Sequence, residues 1–110
     1  MGKFVKGDIV VIPFPYTDLT HVKRRPALVL KGFDRAELVL AQITSRNPDD
    51  AYHVFVNEKD FVDGALFQPS FIRYNHIFTF DETLILYKIA SLKSKKMKQV
   101  IDALVSMFSV

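Results

Sequence analysis

The stretch Ile9–Ile12 places four β-branched residues in an unbroken apolar run directly after Gly7 and Asp8. β-Branched side chains restrict rotation in a helix and pack well on a pleated surface, so they favour extended backbone. A run without apolar–polar alternation predicts a strand that is buried on both faces or closed into a barrel. Either arrangement requires apolar partners on both sides of this first strand.

Further short apolar segments follow, separated by Pro, Gly, Asn and Asp. We expect Pro13 and Pro15 to end the first strand, because proline cannot donate to a sheet ladder. A polar, partly basic loop is expected from Pro13 to Arg24. The later strands are predicted at Pro26–Leu30, Ala36–Thr44, Tyr52–Asn57 near an edge, Ala65–Phe67, Phe71–Tyr74 and His76–Phe80. Asp63-Gly64 is typical of a hairpin turn, and residues 83–90 fit a strand or a helix equally well.

The C-terminal segment has a different pattern. From Ser94 onward, apolar residues recur at helical spacing and form one stripe, which predicts an amphipathic helix with Ser94 as its N-cap. Many short strands followed by one helix indicate a mainly β, barrel-like fold, although an α+β assignment by residue count stays open. At 110 residues the chain fits a single domain, 1–110.

The composition excludes several classes of chemistry. The chain has no cysteine, so disulfides, thiolate metal sites and cysteine nucleophiles are absent. Its three histidines are dispersed and its glycines lie too far apart to cradle a phosphate, so we expect no metal and no cofactor. The N-terminus lacks the apolar core of a signal peptide and no apolar run could span a bilayer, so a cytoplasmic protein is expected. The net charge of +3 is compatible with a polyanionic ligand.

Five segments in order resemble the PemK/MazF-type toxins of type II toxin–antitoxin systems. They are Lys6–Val10, Lys23–Leu30 with its Arg-Pro-hydrophobic strand, Ala41–Ser45 with hydrophobic-Thr-Ser, Pro69–Asp81, and Leu92–Met97 leading into the helix. Each motif alone is weak, but their shared order covers nearly the whole chain. The resemblance implies an SH3-like barrel with a C-terminal helix, a homodimer, and cleavage of single-stranded RNA. It also implies a cognate antitoxin whose acidic, flexible tail occupies the RNA groove.

The resemblance implies three catalytic residues, Arg25, Thr44 and Arg73. Metal-independent cleavage of RNA uses the substrate's 2′-hydroxyl as nucleophile and leaves a 2′,3′-cyclic phosphate, so the enzyme must neutralise phosphoryl charge and move two protons. A guanidinium suits the charge role because its planar fork donates two hydrogen bonds to phosphate. Pro26 holds Arg25 in extended backbone, and Thr44 can donate its hydroxyl to a phosphate oxygen.

The match breaks at Asn75. Some members of the family carry an acidic residue there, suited to accepting the 2′-hydroxyl proton, whereas a neutral amide cannot act as a base. Either another group serves, or Asn75 only orients the substrate. His21 is a candidate base because its unperturbed pKa lies near neutral pH, while His76, if in a strand, points to the opposite face from Asn75.

Basic and aromatic residues lie among these candidates and predict a groove that binds single strands through phosphate contacts and base stacking. The predicted substrate-binding residues are His21, Lys23, Arg24, Ser45, Arg46, Tyr74 and Asn75, with Tyr16 nearby. An acidic antitoxin tail fits the same groove. Two alternatives stay open. One is a non-enzymatic growth inhibitor of the same fold that binds a topoisomerase or another protein target, which Asn75 favours, and the other is a barrel adaptor that binds peptides.

Overall fold

The computed structural model describes residues 3–14 and 23–109. Within these ranges the strands are β1 (Asp8–Phe14), β2 (Lys23–Gly32), β3 (Glu37–Thr44), β4 (His53–Val56), β5 (Phe61–Gly64), β6 (Ser70–Asp81) and β7 (Tyr87–Leu92). One helix, α1, spans Ser94–Phe108, and single 3-10 turns lie at Glu58–Asp60 and Glu82–Leu84. The predicted mainly β fold with a C-terminal helix is confirmed. Of the ambiguous residues 83–90, the first two belong to a 3-10 turn and the last four to β7, with two residues between them.

The seven described strands form one antiparallel sheet in the order β4-β6-β3-β2-β1-β7-β5. The sheet curls, because its two edge strands contribute to one core: Val54 and Val56 of β4 lie in the same apolar cluster as Phe61 of β5. The short 3-10 turn Glu58–Asp60 joins these edges. The expected edge position of the strand near His53 is confirmed.

The central strands are buried on both faces, as the apolar run Ile9–Ile12 predicted. In β2, Leu28 and Leu30 belong to the cluster beneath α1, whereas Ala27 and Val29 belong to a second cluster on the opposite face. Alternate residues of a strand point to opposite faces, so a continuous apolar run supplies both clusters. Charged side chains are thereby absent from the middles of β2 and β3.

Helix α1 closes the larger cluster with Met97 and Val100, which are buried. Ser94 is the first residue of the helix rather than its N-cap, so that prediction is wrong. The cap is Lys93, whose backbone N–H donates to the Asp60 carbonyl at 2.8 Å while its own carbonyl accepts from the Met97 N–H at 2.9 Å. None of the helices in the described ranges has the length and apolar character needed to cross a membrane.

Several predicted strand boundaries need correction. β1 continues through Pro13, and β2 begins at Lys23, three residues before Pro26. Both prolines are accommodated within paired strands, Pro13 opposite Arg24 and Pro26 opposite Val11. Lys23 and Arg24 therefore belong to a strand rather than to the predicted loop.

The β5 region also differs from the prediction. Residues 63 and 64 lie in a strand rather than in a hairpin turn, and residues 65–69 form a loop where a strand was expected. The two predicted strands that follow are one strand, β6, in which Ala41 and Gln42 of β3 face Ile77 and Arg73 across a bulge. Residues 74–76 form that bulge, so strict alternation does not hold there.

Gly64 is required by the close approach of β5 to β7. Its φ is +71°, and a Cβ built on it would collide with the Ile89 carbonyl oxygen and lie 2.7 Å from the Ala90 Cα. Both neighbouring atoms are backbone, so neither can move without disturbing the ladder. The same glycine fixes where the following loop leaves the sheet.

We expect Gly64→Ala to lower the free energy of unfolding by about 2–4 kcal/mol, because it combines positive φ with a backbone clash. Gly32→Ala is the matched control, since a Cβ there meets only Leu38 Cδ2 at 3.4 Å and the Phe4 carbonyl oxygen at 3.7 Å. Urea denaturation of both variants measures the difference. Equal stability of the two variants would contradict the assigned close approach.

Candidate functional site

The antiparallel pairing of β2 with β3 brings Arg25 and Thr44 to one end of the sheet. The ladder pairs Ala27 with Gln42, and continuing it by two residues sets the start of β2 beside the end of β3. Arg25 and Thr44 accordingly line one groove, which we call the Arg25 groove. It is lined by Val11, Arg24, Arg25, Pro26, Ile43, Thr44, Ser45, Leu66, Phe67, Gln68, Ser70, Tyr87 and Ile89.

The described residues that line the Arg25 groove include two arginines, Arg24 and Arg25, and no carboxylate. Thr44 and Ser45, whose side chains carry hydroxyls, also line the groove. Arginines and hydroxyls all donate hydrogen bonds to anionic oxygens. The groove is therefore suited to an anion such as a phosphodiester.

Thr44 also lines a second concavity, the Arg73 depression, formed with Arg46, Asn47, Pro48, Asp49, Asp50 and Arg73. The β3–β6 ladder pairs Thr44 with Phe71 and Gln42 with Arg73. Thr44 and Arg73 are thus diagonal neighbours on one face, a relation that separates Cα atoms by about 7–8 Å. Thr44 therefore stands between the two arginines that sequence reasoning grouped with it.

The hydroxyl of Thr44 is oriented by its own loop. Thr44 Oγ1 accepts a hydrogen bond of 3.2 Å from the backbone N–H of Arg46. A threonine that accepts locally in this way keeps its own O–H for another acceptor. The loop after β3 thus fixes the position of Thr44 Oγ1.

Asp50 is the residue that sequence reasoning missed. Its Oδ2 accepts from Arg73 Nη2 at 3.2 Å and from Asn75 Nδ2 at 3.4 Å, and its Oδ1 accepts from the Tyr52 backbone N–H at 2.9 Å. The Tyr52 hydrogen bond, helped by Asn75 and Arg73, lowers the pKa of Asp50 below its usual value of 3.8. A carboxylate therefore stands beside Asn75 although residue 75 itself is an amide.

No spacing signal could have located Asp50, because it lies 23 residues before Arg73 in a loop rich in turn formers. The β4–β6 ladder brings them together by pairing His53 with Arg73. The strand that pairs with β6 determines which loop carboxylate meets Arg73, and local sequence does not reveal that pairing.

Buried polar atoms without a partner surround this ion pair. Among the described residues, Arg73 Nε, Asn75 Oδ1 and His53 Nδ1 are buried and make no hydrogen bond. Buried polar atoms are normally paired, since leaving one unpaired costs free energy. Two nitrogen atoms and one oxygen atom without hydrogen-bond partners therefore lie close to the Arg73 depression.

The remaining predicted site residues divide by position. Ser45 and Arg46 are exposed after β3, Ser45 in the Arg25 groove and Arg46 in the Arg73 depression. Lys23 is exposed at the start of β2 and does not line either concavity. His21 and Tyr16 lie outside the described residues.

Tyr74 requires correction as a substrate-binding residue. It is buried in the core cluster, and its hydroxyl donates to the Ala51 carbonyl at 3.4 Å. Arg73 and Asn75 both contact Asp50 on the outer side of β6, whereas Tyr74 between them faces the core. His76 is exposed within the bulge.

Within residues 3–14 and 23–109, no three His, Asp or Glu side chains come together in a way that could hold a metal ion.

The chain matches one protein family over most of its length. Residues 5–108 fit the family described as the PemK-like, MazF-like toxin of type II toxin–antitoxin systems. No curated protein sequence matches the chain.

Solved structures share the fold at low sequence identity. A MazE–MazF structure from Deinococcus radiodurans has a TM-score of 0.75 at 20% identity, covering 97% of this chain and 96% of the other. An endoribonuclease from a mycobacterial species has a TM-score of 0.73 at 15% identity, covering 100% and 95%. A mycobacterial endoribonuclease in complex with its cognate antitoxin has a TM-score of 0.72 at 14% identity, covering 97% and 96%.

Proposed function

Because the chain belongs to the PemK-like, MazF-like toxin family of type II toxin–antitoxin systems, we propose that it is an endoribonuclease that cleaves single-stranded RNA without a metal ion. One observation carries the proposal: Thr44 lines both the Arg25 groove and the Arg73 depression. A single phosphodiester at Thr44 can then meet a hydroxyl donor and two guanidinium groups at once.

The proposed reaction uses the nucleophile that RNA itself carries. The 2′-oxygen gives up its proton to a base and attacks the adjacent phosphorus, the bond to the 5′-oxygen breaks, and that oxygen takes a proton from solvent. A 2′,3′-cyclic phosphate remains on one product and a 5′-hydroxyl on the other. Negative charge accumulates on the phosphoryl oxygens, and fixed donors aimed at that charge stabilise the transition state. Arg25 and Thr44 supply donors from one side, and the guanidinium of Arg73, which lines the depression beside Thr44, supplies them from the other.

Asp50 is the proposed proton acceptor for the 2′-hydroxyl. Its carboxylate accepts from Tyr52, Asn75 and Arg73, and a carboxylate has about four lone-pair directions, so one remains for the substrate. In this proposal Asn75 positions the base, Asp50, through a hydrogen bond and does not itself accept the proton. The inhibitor alternative depended on the lack of a carboxylate beside Arg73, and Asp50 supplies one.

The proposed partners follow from the same surface. A mycobacterial endoribonuclease has been solved with its cognate antitoxin, and the arginine-lined, carboxylate-free Arg25 groove suits an acidic antitoxin tail as well as RNA. A homodimer is part of the proposal. Val105 and Phe108 on the outer side of α1 are 59% and 71% exposed, which gives a second copy apolar surface to cover. We place this activity in the cytoplasm, where mRNA is found.

Replacing Arg25 tests the activity most simply. We expect Arg25→Ala to reduce kcat/KM for single-stranded RNA in EDTA by about 10²–10³-fold, as loss of one transition-state donor does. Arg35→Ala is the matched control, because Arg35 is an exposed arginine beyond the opposite end of β2. Cleavage is followed by sequencing the RNA ends. Intact RNA at high enzyme concentration, or cleavage that stops in EDTA, would count against the proposal.

The pH profile distinguishes Asp50 from His21 as the base. The hydrogen bond from Tyr52 and the contacts with Asn75 and Arg73 hold the pKa of Asp50 below 3.8, so the carboxylate is ionised above that pH and its contribution is lost only as pH falls through the lowered pKa. The profile of kcat/KM, which reports groups of the free enzyme, should therefore be flat between about pH 5 and 7. A histidine base would instead produce a tenfold fall per unit below about pH 6.5.

Two variants complement the pH profile. We expect Asp50→Asn to lower kcat/KM by about 10²-fold or more. Asp34→Asn, which changes an exposed turn residue, is the control and should leave kcat/KM unchanged. Adding Asn75→Asp to Asp50→Asn returns a carboxylate to the neighbouring position and should restore part of the rate. An Asp50→Asn variant as active as the wild type would rule Asp50 out as the base.

A further inference from the structure

Phe67 is the most exposed large apolar side chain of the described residues, with a relative accessibility of 107%. It lies in the loop 65–69 between β5 and β6. Leu66, Phe67 and Gln68 line the Arg25 groove on one side and a second groove on the other. The second groove is completed by Asn57, Glu58, Lys59, Phe61 and Pro69. Phe67 thus stands on a ridge between two grooves, at the edge of the arginine-lined one.

The loop that carries Phe67 is held at both ends. Gly64 packs against the backbone of β7, Leu66 packs against the core cluster, and Ser70 Oγ donates to the Gln68 carbonyl at 3.0 Å. With Leu66 directed inward, its neighbour Phe67 is directed outward. The fold therefore fixes the backbone that carries Phe67 and directs its side chain to the surface.

We propose that Phe67 is the stacking platform for one unpaired base of the RNA whose phosphodiester lies in the Arg25 groove. This inference rests on the proposed function. Single-stranded nucleic acid is held by basic grooves that contact phosphate and by aromatic rings on which bases stack. The Arg25 groove supplies the first element through Arg24 and Arg25, and Phe67 supplies the second at its rim.

The chemistry of the groove favours RNA as the occupant of this surface. A contact between apolar surfaces alone does not require cations, whereas the groove beside Phe67 combines apolar side chains with two arginines and the hydroxyl-bearing Thr44 and Ser45. Such a mixture suits the base and the phosphate of a nucleotide. Stacking on a phenyl ring tolerates any base, because every base has a π face. Phe67 therefore contributes binding strength and positions the strand, rather than reading its sequence.

A fluorescence titration tests the contact directly. The chain contains no tryptophan, so Phe67→Trp introduces a single indole at the proposed platform. The probe is an oligodeoxyribonucleotide, which lacks the 2′-hydroxyl and cannot be cleaved by the proposed route. We expect binding to quench Phe67→Trp but not Phe33→Trp, since Phe33 is exposed at the other end of β2, roughly 26 Å from Arg25 at about 3.3 Å per strand residue.

Steady-state kinetics with RNA test whether the aromatic face matters. We expect Phe67→Ala and Phe67→Leu to raise KM about 10-fold with kcat nearly unchanged, in line with the affinity lost when a stacking ring is removed. Phe67→Trp should keep the KM of the wild type, and Phe33→Ala serves as the control. The leucine variant separates stacking from general apolar contact, because it keeps apolar bulk and removes the ring.

Any result other than the expected quenching and KM changes overturns the inference. A silent Phe67→Trp signal with unchanged KM in the alanine variant, in an active enzyme, removes Phe67 from the RNA path and leaves the proposed function intact. A normal KM in Phe67→Leu removes stacking. A dimer that dissociates on sedimentation of Phe67→Ala, with RNA binding preserved, assigns the ring to a second copy. If the wild type neither cleaves RNA nor binds the oligonucleotide, the proposed function fails and this inference with it.

Discussion

The register between β2 and β3 is the constraint on which the site depends. Leu28 pairs with Ala41 and Val29 with Leu40, and these pairs face opposite clusters, so both faces of the sheet specify the same register. A slip of one residue would exchange the two faces of the strand. Because the strands are antiparallel, this register necessarily places the start of β2 beside the end of β3, where Arg25 and Thr44 lie.

Burial on both faces also determines where charge can be placed. The middle of β2 and β3 has no position for a guanidinium, since an unpaired charge there would be desolvated at high cost. Arginines are therefore found at the strand start, as Arg25, and on the outer face of β6, as Arg73, where Asp50 pairs with it at 3.2 Å. The concentration of donors beside Thr44 follows from the same packing that builds the core.

Local patterns in the sequence were sufficient for the elements that one strand or helix specifies alone. The unalternating run Ile9–Ile12 predicted a doubly buried strand, and the apolar stripe predicted α1, because each needs only its own periodicity. Pro26 was expected to start a strand and instead lies within one. A paired strand can contain a proline only where the neighbouring strand does not need the missing N–H as a donor. Local sequence does not show which groups of the two strands face each other.

The parts of the site that were not predictable arise from pairing between distant segments. The bulge in β6 sets Asn75 outward and leaves Tyr74 in the core, whereas the residue types alone suited both to a groove. Asp50 meets Arg73 only because β4 pairs with β6. The exposure of Phe67 depends on Leu66 packing inward and on Gly64 approaching β7. The strand predicted at 65–67 did not anticipate either contact.

The central claim, that Arg25 and Thr44 act on one phosphodiester, is tested most directly by a double-mutant cycle. kcat/KM for single-stranded RNA is measured for the wild type, Arg25→Ala, Thr44→Val and the double variant, each shown to be folded. Residues that act as a unit are strongly non-additive, so the double variant should lose much less than the product of the two single losses. Losses that simply multiply would show that the two residues act independently and would contradict the account.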